Sequence, residues 1–446
     1  MGGDLSRRIW FTLAALVICR LGTYVPIPGI DPNVLADFFR GQTGGPLGMM
    51  DVFVGGGFGR LSIFALGLFP YITVGAVVLL ASSVSPKLKA LAKEGEAGRK
   101  RINQYLRYGT VILAAAQAYC LAIGLEHVQA AQGPAVLDPG LLFRMTTAVT
   151  LTGGAIFLLW LGEQITGRGV GNGILLIVFS GIAAELPRLL AGVLELGRAS
   201  ALPTGLIIAL PLIAAGMIAF ILFMERAQRR VFITKIGDRH SHLPMKLNAA
   251  GALPALFAFS VLSMLTTISG FSSIGGPGWL VEALAPLGGS ETLYLAVYGA
   301  LIVLFAFLCA SQAFDPARTA ANLKTAGKVI IGIRPGEGTA RYLRKLQVLL
   351  TLLAAAYLAA ICLLPEFLTP PLLRPFDMSA PALLVLVWVI LDTSEQIRWR
   401  LQPPPGGPPD DFSGAVGARQ VAGLRTKAVA QESRSKSRKG IAAETD

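Results

Sequence analysis

The chain has 446 residues, 53 % of them hydrophobic and 15 % charged, with a formal net charge of +13. A soluble protein of this length needs more charge to cover its surface. Here the apolar residues come in long blocks, the signature of an all-α polytopic membrane protein.

Ten apolar spans are predicted: Ile9–Tyr24, Ile63–Val84, Tyr108–Leu125, Met145–Leu161, Ile174–Leu186, Leu206–Met224, Ala249–Ile268, Leu293–Ala313, Leu346–Leu364 and Ala380–Ile397. The first follows Arg7-Arg8, as a signal peptide would, but Arg20 interrupts it and Val25-Pro26-Ile27-Pro28-Gly29 replaces a small-residue cleavage site, so it reads as a retained anchor. The fifth is short for a crossing; it starts earlier than drawn or runs through a hydrated interior. Ten spans split into two sets of five with opposite starting orientations, the arithmetic of an inverted repeat. The halves are 1–200 and 201–401, the second with cytoplasmic loops 225–248 and 314–345. From Gln402 the composition turns to Pro, Ser, Arg and Lys, so 402–446 reads as a disordered cytoplasmic tail.

With the N-terminus in the cytoplasm, all but seven of the 39 Lys and Arg fall on the cytoplasmic side. The exceptions are Arg20, Arg40, Arg60, Arg144, Arg188, Arg198 and Arg374. That asymmetry is the positive-inside pattern and puts both termini in the cytoplasm. It also accounts for the basic charge without DNA.

The spans lack the equipment of a pump or an enzyme. Arg20 is the one intramembrane charge expected, while Glu163, Glu225, Asp315 and Asp392 fall at cytoplasmic span ends. A proton relay needs midplane acids or histidines, and an intramembrane protease needs paired Asp, a Ser/His couple or His-Glu-x-x-His. Cys19, Cys120, Cys309 and Cys362 lie in apolar blocks without motif spacing, and His127, His240 and His242 are too scattered for a metal cluster. No cofactor is expected. A passage without internal charge is closed by apolar side chains, which suits something large and chemically varied.

Between the first two spans runs Asp51-Val52-Phe53-Val54-Gly55-Gly56-Gly57-Phe58-Gly59-Arg60-Leu61-Ser62. It suits an outside loop or a re-entrant piece, the latter tolerated only when buried in protein or facing water. Gly171-Asn172-Gly173 follows no strand and carries no Gly-Lys-Ser/Thr, so nucleotide binding is rejected. Three charged cytoplasmic stretches, Lys93 to Tyr105, Glu225 to Arg230 and Gly332 to Thr339, are solvated faces or a docking platform for a negatively charged partner.

Pro26-Ile27-Pro28-Gly29-Ile30-Asp31, Ser62 to Gly67, Pro70-Tyr71-Ile72, Lys93 to Tyr105, Trp160 to Thr166, Gly171-Asn172-Gly173, His242-Leu243-Pro244 and Gly332 to Glu337 occur in an order that resembles the SecY family, the channel subunits of bacterial protein translocases. The resemblance runs from about Ile9 to Ile397. It implies ten transmembrane helices in two inverted, pseudo-symmetric halves around an hourglass pore with a lateral gate. It implies a channel that passes unfolded secretory polypeptides across the bacterial cytoplasmic (inner) membrane and releases membrane-protein helices into lipid. ATP hydrolysis would belong to a partner, the SecA ATPase. The other implied partners are the small membrane subunits SecE and SecG, the ribosome, signal sequences, unfolded preproteins and phospholipid.

Carried onto this sequence, the pore ring is Leu68, Ile72, Ile174, Val178, Leu256 and Val385. The pairs 68/72 and 174/178 are i,i+4 neighbours on one helix face each. The plug is the segment near 53–62, with Phe53, Gly55, Gly56, Gly57, Phe58, Arg60 and Leu61. Its glycines reduce its packing area, so displacing it should cost only a few kcal/mol. Gln117 and Asn248 match polar gate positions, or are ordinary helix–helix hydrogen bonds. Arg229, Arg230 and Arg334 match the region that receives the motor or the ribosome. The chain departs from the family's pattern in a shortened Arg230–His240 segment, in Ile331 where proline is common, and in its Pro-rich tail.

Overall fold

A computed structural model describes residues 2–31, 34–35, 46–94, 96–130, 133–198, 204–235, 241–272, 291–325, 327–368 and 380–401. The predicted tail 402–446, the 200/201 boundary, Arg40, His240 and Arg374 lie outside the described residues.

In chain order the helices are α1 (Gly2–Gly22), α2 (Pro46–Val54), α3 (Phe69–Val84), α4 (Pro86–Lys93), α5 (Glu96–Glu126), α6 (Leu141–Arg168) and α7 (Gly173–Arg198). There follow α8 (Thr204–Arg226), α9 (Leu253–Ser272), α10 (Glu291–Ala313), α11 (Pro316–Thr325), α12 (Glu337–Leu368) and α13 (Ala380–Leu401). Each of the ten predicted spans corresponds to one of these, and α2, α4 and α11 lie between spans. The architecture is a ten-helix, all-α membrane fold. Side chains such as Trp10, Ile112, Leu142 and Val149 stand exposed on α1, α5 and α6. That is a stable surface only where lipid is the solvent.

Among the span boundaries that differ from the sequence reading, two bear on the site. Residues 63–68 form turns, and α3 starts at Phe69 with Leu68 as its cap and Pro70 in its first turn. A proline is favoured there because its missing N–H has no intrahelical partner to lose. The fifth span does not stop at Leu186 but continues as helix through Pro187 to Arg198. It looked short because Arg188 and Glu195 lower the local hydropathy, not because the backbone turns. Its start is set by Asn172, whose Oδ1 accepts from the Ile174 N–H at 3.2 Å.

Within this span the expectation of one intramembrane charge is also corrected, by a residue already inside the predicted bounds. Glu185 lies midway along α7, 4 % exposed.

On the predicted cytoplasmic side the two long loops are not mere solvated coil. The strands in chain order are β1 (Gln129–Ala130) and β2 (Gly133–Pro134), a small hairpin after α5, then β3 (Gln228–Lys235), β4 (Ser241–Lys246) and β5 (Lys328–Ile330). The last three form one antiparallel sheet in the order β4-β3-β5, with Arg230 opposite Pro244 and Ile233 opposite both Ser241 and Ile330. Val231, Met245 and Ile330 from its inner face pack on Leu343, Leu346 and Leu350 of α12. Period-2 alternation in β3 puts Arg230 and Phe232 on the opposite, exposed face.

Candidate functional site

The six aliphatic residues carried over as a pore ring lie on α3 and its cap, α7, α9 and α13. Leu68, Ile72, Val178, Leu256 and Val385 are buried members of one hydrophobic cluster, and Ile174 is half-buried against it. Ile72 donates its N–H to the Leu68 carbonyl at 3.0 Å, so the pair stacks on one face although Leu68 is only the cap. A cavity of about 30 Å³ lies here, with Leu68, Ile72 and Val178 in its wall together with Cys19, Phe53 and Val54. A space that size with so apolar a lining holds no continuous water thread. Among the described residues, Arg20 is the one charged side chain in the lining.

Residues 46–62 fold inward as α2 followed by tight turns, not as an outside loop. Met50, Phe53, Val54, Phe58 and Leu61 are all buried. Phe53 sits between Phe69 of α3 (5.8 Å, edge-on) and Phe259 of α9 (4.9 Å, stacked). The turn is closed from within: Gly59 donates to Asp51 Oδ1 at 2.7 Å and Ser62 to the Gly57 carbonyl at 2.9 Å. It is closed from outside by Ile27 N–H to Leu61 O and Ile63 N–H to Val25 O. This revises the cost of displacing it. Each buried side chain returned to water costs roughly 1.5–3 kcal/mol, so the whole segment is held by more than a few. The glycines do not thin the packing; they permit it. Gly55 and Gly56 have φ of +73° and +76°, and a Cβ on Gly181 of α7 would meet the Phe53 carbonyl and stand 3.2 Å from the Gly55 nitrogen.

Charges gather beside this turn. Arg20 Nη1 donates to the Gly55 carbonyl at 2.5 Å. Glu185 Oε1 lies 4.0 Å from Arg20 Nη2 and 3.8 Å from Arg60 Nη2, and its Oε2 lies 3.5 Å from Arg188 Nη1. Both guanidinium groups also approach the Tyr24 ring, Arg60 at 4.4 Å and Arg20 at 5.4 Å. Sequence reasoning missed Glu185 and Asp51 here. The signal was present, since an acid inside an apolar span demands a partner and the basic Arg20 and Arg60 were at hand.

Gln117 and Asn248 are both buried but no hydrogen bond joins them. Gln117 Oε1 on α5 has no partner among the described residues. Asn248, just before α9, donates to Glu225 Oε1 of α8 at 2.6 Å and to the Gly251 carbonyl at 3.0 Å, and accepts from the Gly251 N–H at 3.0 Å. Tyr357 Oη of α12 stands 3.5 Å from the same Glu225 oxygen. A polar contact that does span α3 and α9 was not foreseen: Thr73 Oγ1 donates to the Ser260 carbonyl.

Arg229, Arg230 and Arg334 are exposed, the first two on β3 and the third four residues beyond β5. The sheet thus joins the two loops that carry these arginines, with Arg229 and Arg230 on opposite faces of β3. Among the described residues no cluster of His, Cys, Asp or Glu has the arrangement of a metal site.

A family model described as SecY matches residues 62–394. The SecY protein translocase subunit of Escherichia coli K12 is 41 % identical over 407 residues, covering 89 % of this chain and 91 % of the relative. A solved structure described as the plug domain of SecY, stabilising the closed state of the translocation channel, superposes with a TM-score of 0.64 at 15 % identity, covering 89 % of this chain and 93 % of that one. Sec61 in a canine ribosome–channel complex gives 0.61 at 14 %, with the same coverage. At those identities the two structures speak to the fold alone.

Proposed function

The chain belongs to the SecY family, and we propose from that premise how this protein-conducting channel works. Unfolded secretory polypeptide threads the waist formed by Leu68, Ile72, Ile174, Val178, Leu256 and Val385. The segment 53–62 is the plug that closes it when idle, and hydrophobic segments of membrane proteins leave sideways between α3 and α5 on one side and α9 and α10 on the other. The waist supports this reading most directly. A collar of Leu, Ile and Val offers no ligand to an ion, disfavours a water thread, and yields around any side chain that passes.

The finer assignments rest on the same premise. Both termini face the cytoplasm of a bacterial inner membrane, a reading that the Lys and Arg distribution supports. The arginine-bearing sheet receives SecA or a ribosome, whose acidic or phosphate groups suit guanidinium forks. The ribosome-bound state of a fold relative supports that second partner. ATP hydrolysis belongs to SecA, while SecE and SecG complete the assembly in the membrane. A signal sequence, itself an apolar helix, replaces α3–α9 contacts and holds the gate open.

A cysteine placed at Ile72 tests the waist. With an arrested preprotein in the channel, it should crosslink to the translocating chain. Crosslinking to lipid alone would refute the assignment.

A further inference from the structure

The glycine turn is held by a charged clamp that an idle aliphatic channel does not otherwise need. We propose that Glu185 is the positioning residue that seats the plug, its carboxylate bridging Arg20 of α1 and Arg60 of the plug itself. This rests on the reading of 53–62 as a plug.

Four observations carry it. Glu185 is 4 % exposed on a membrane-spanning helix, where an unpaired charge is expensive, and it faces two guanidinium groups from different elements at 4.0 and 3.8 Å. Arg20 simultaneously holds the plug backbone through the Gly55 carbonyl. A Cβ on Gly56 would collide with both the Arg60 guanidinium and the Glu185 carboxylate, so the glycine leaves room for the bridge. Gly181, one helical turn before Glu185, lets the plug backbone lie directly on α7. The arrangement therefore joins α1, α7 and the plug at one carboxylate. Moving the plug away separates Arg60 from Glu185 while Arg20 stays on α1. The bridge acts on seating, not on the passage of polypeptide.

Cys19 supplies the readout, because it is buried in the wall of the cavity beside Phe53 and Val54. In right-side-out membrane vesicles, a membrane-impermeant maleimide added outside should label Cys19 slowly in the resting channel. In Glu185→Gln, which keeps the side chain's shape, labelling should accelerate about tenfold or more, since the part-buried Arg20 and Arg60 and the exposed Arg188 lose the one buried counter-charge they share. Cys309 on α10 and Cys362 on α12, both buried, should stay unlabelled, which separates plug release from unfolding. The double exchange Glu185→Arg with Arg60→Glu should slow labelling again relative to Glu185→Arg alone. An arrested preprotein in the unmodified channel should also expose Cys19. If the preprotein exposes it and Glu185→Gln does not, the clamp is wrong and the plug stands. If neither does, the plug reading falls and the clamp with it.

Discussion

Thr73 on α3 donates its hydroxyl to the Ser260 carbonyl on α9 at 3.2 Å, and both residues are buried. These helices come from opposite halves of the chain and meet along the proposed lateral gate. Inside a membrane protein such a bond contributes about 0.6–2 kcal/mol, enough to bias closure without locking it. Thr73→Val keeps the shape and removes the donor. It should raise export of a preprotein with a weakened signal sequence about 3- to 30-fold, measured as the protected fraction in vesicles. Unchanged export of that substrate would place the bond outside the gating equilibrium.

Gly181 makes a steric prediction about the seat of the proposed plug. Valine there would drive a methyl-bearing Cβ into the Phe53 carbonyl, and overpacking of this kind costs about 1–3 kcal/mol. The strain is relieved by lifting the plug, so Gly181→Val should leak small ions from proteoliposomes about ten- to a hundredfold faster than the parent. Gly153 on α6 has nothing within 4 Å of its added Cβ. Gly153→Ala should therefore seal as the parent does.

Much of this was legible before any coordinates. Runs of apolar residues located all ten helices, because a lipid-facing helix must be apolar whatever it packs against. The proposed waist rests on family motifs, not on spacing. Leu, Ile and Val at i,i+4 occur on every span, and nothing local distinguishes Val178 from a lipid-facing valine. What escaped was long-range. No pattern in 225–248 or 314–345 announced that Lys328–Ile330 would pair with β3, since three residues carry too little periodicity. Glu185 was legible as an acid inside the fifth span, but which cations would meet it was not, since Arg20 and Arg60 lie more than 100 residues away. The Asn248 partner was unreadable for a different reason: Glu225 sits at a helix end where a carboxylate ordinarily meets water, and its burial depends on Tyr357, some 130 residues away.

Asn248 accordingly tests packing more than gating. Its amide donates to a buried carboxylate at 2.6 Å and pins the turn at Gly251. Asn248→Ala leaves Glu225 without that donor, at a cost of about 1–3 kcal/mol. Thermal unfolding in nanodiscs should fall by several degrees. Asn248→Asp should fall further, since two carboxylates then face each other. Pairing it with Glu225→Gln should recover much of the loss, and failure to recover would show that the pair is not coupled.

Arg334 tests the cytoplasmic face. Its side chain is exposed, and its backbone carbonyl accepts from Thr339 Oγ1 at 3.1 Å. Reversing the charge therefore leaves the turn intact while replacing a forked donor with a repelling carboxylate. Arg334→Glu should abolish preprotein transport, a loss of two or more orders of magnitude, while the protein still inserts into the membrane and unfolds at its normal temperature. Arg334→Lys should recover part of the activity, since charge returns without the planar fork. Full transport by Arg334→Glu would refute the docking role and leave Arg229 and Arg230 on β3 as the remaining candidates.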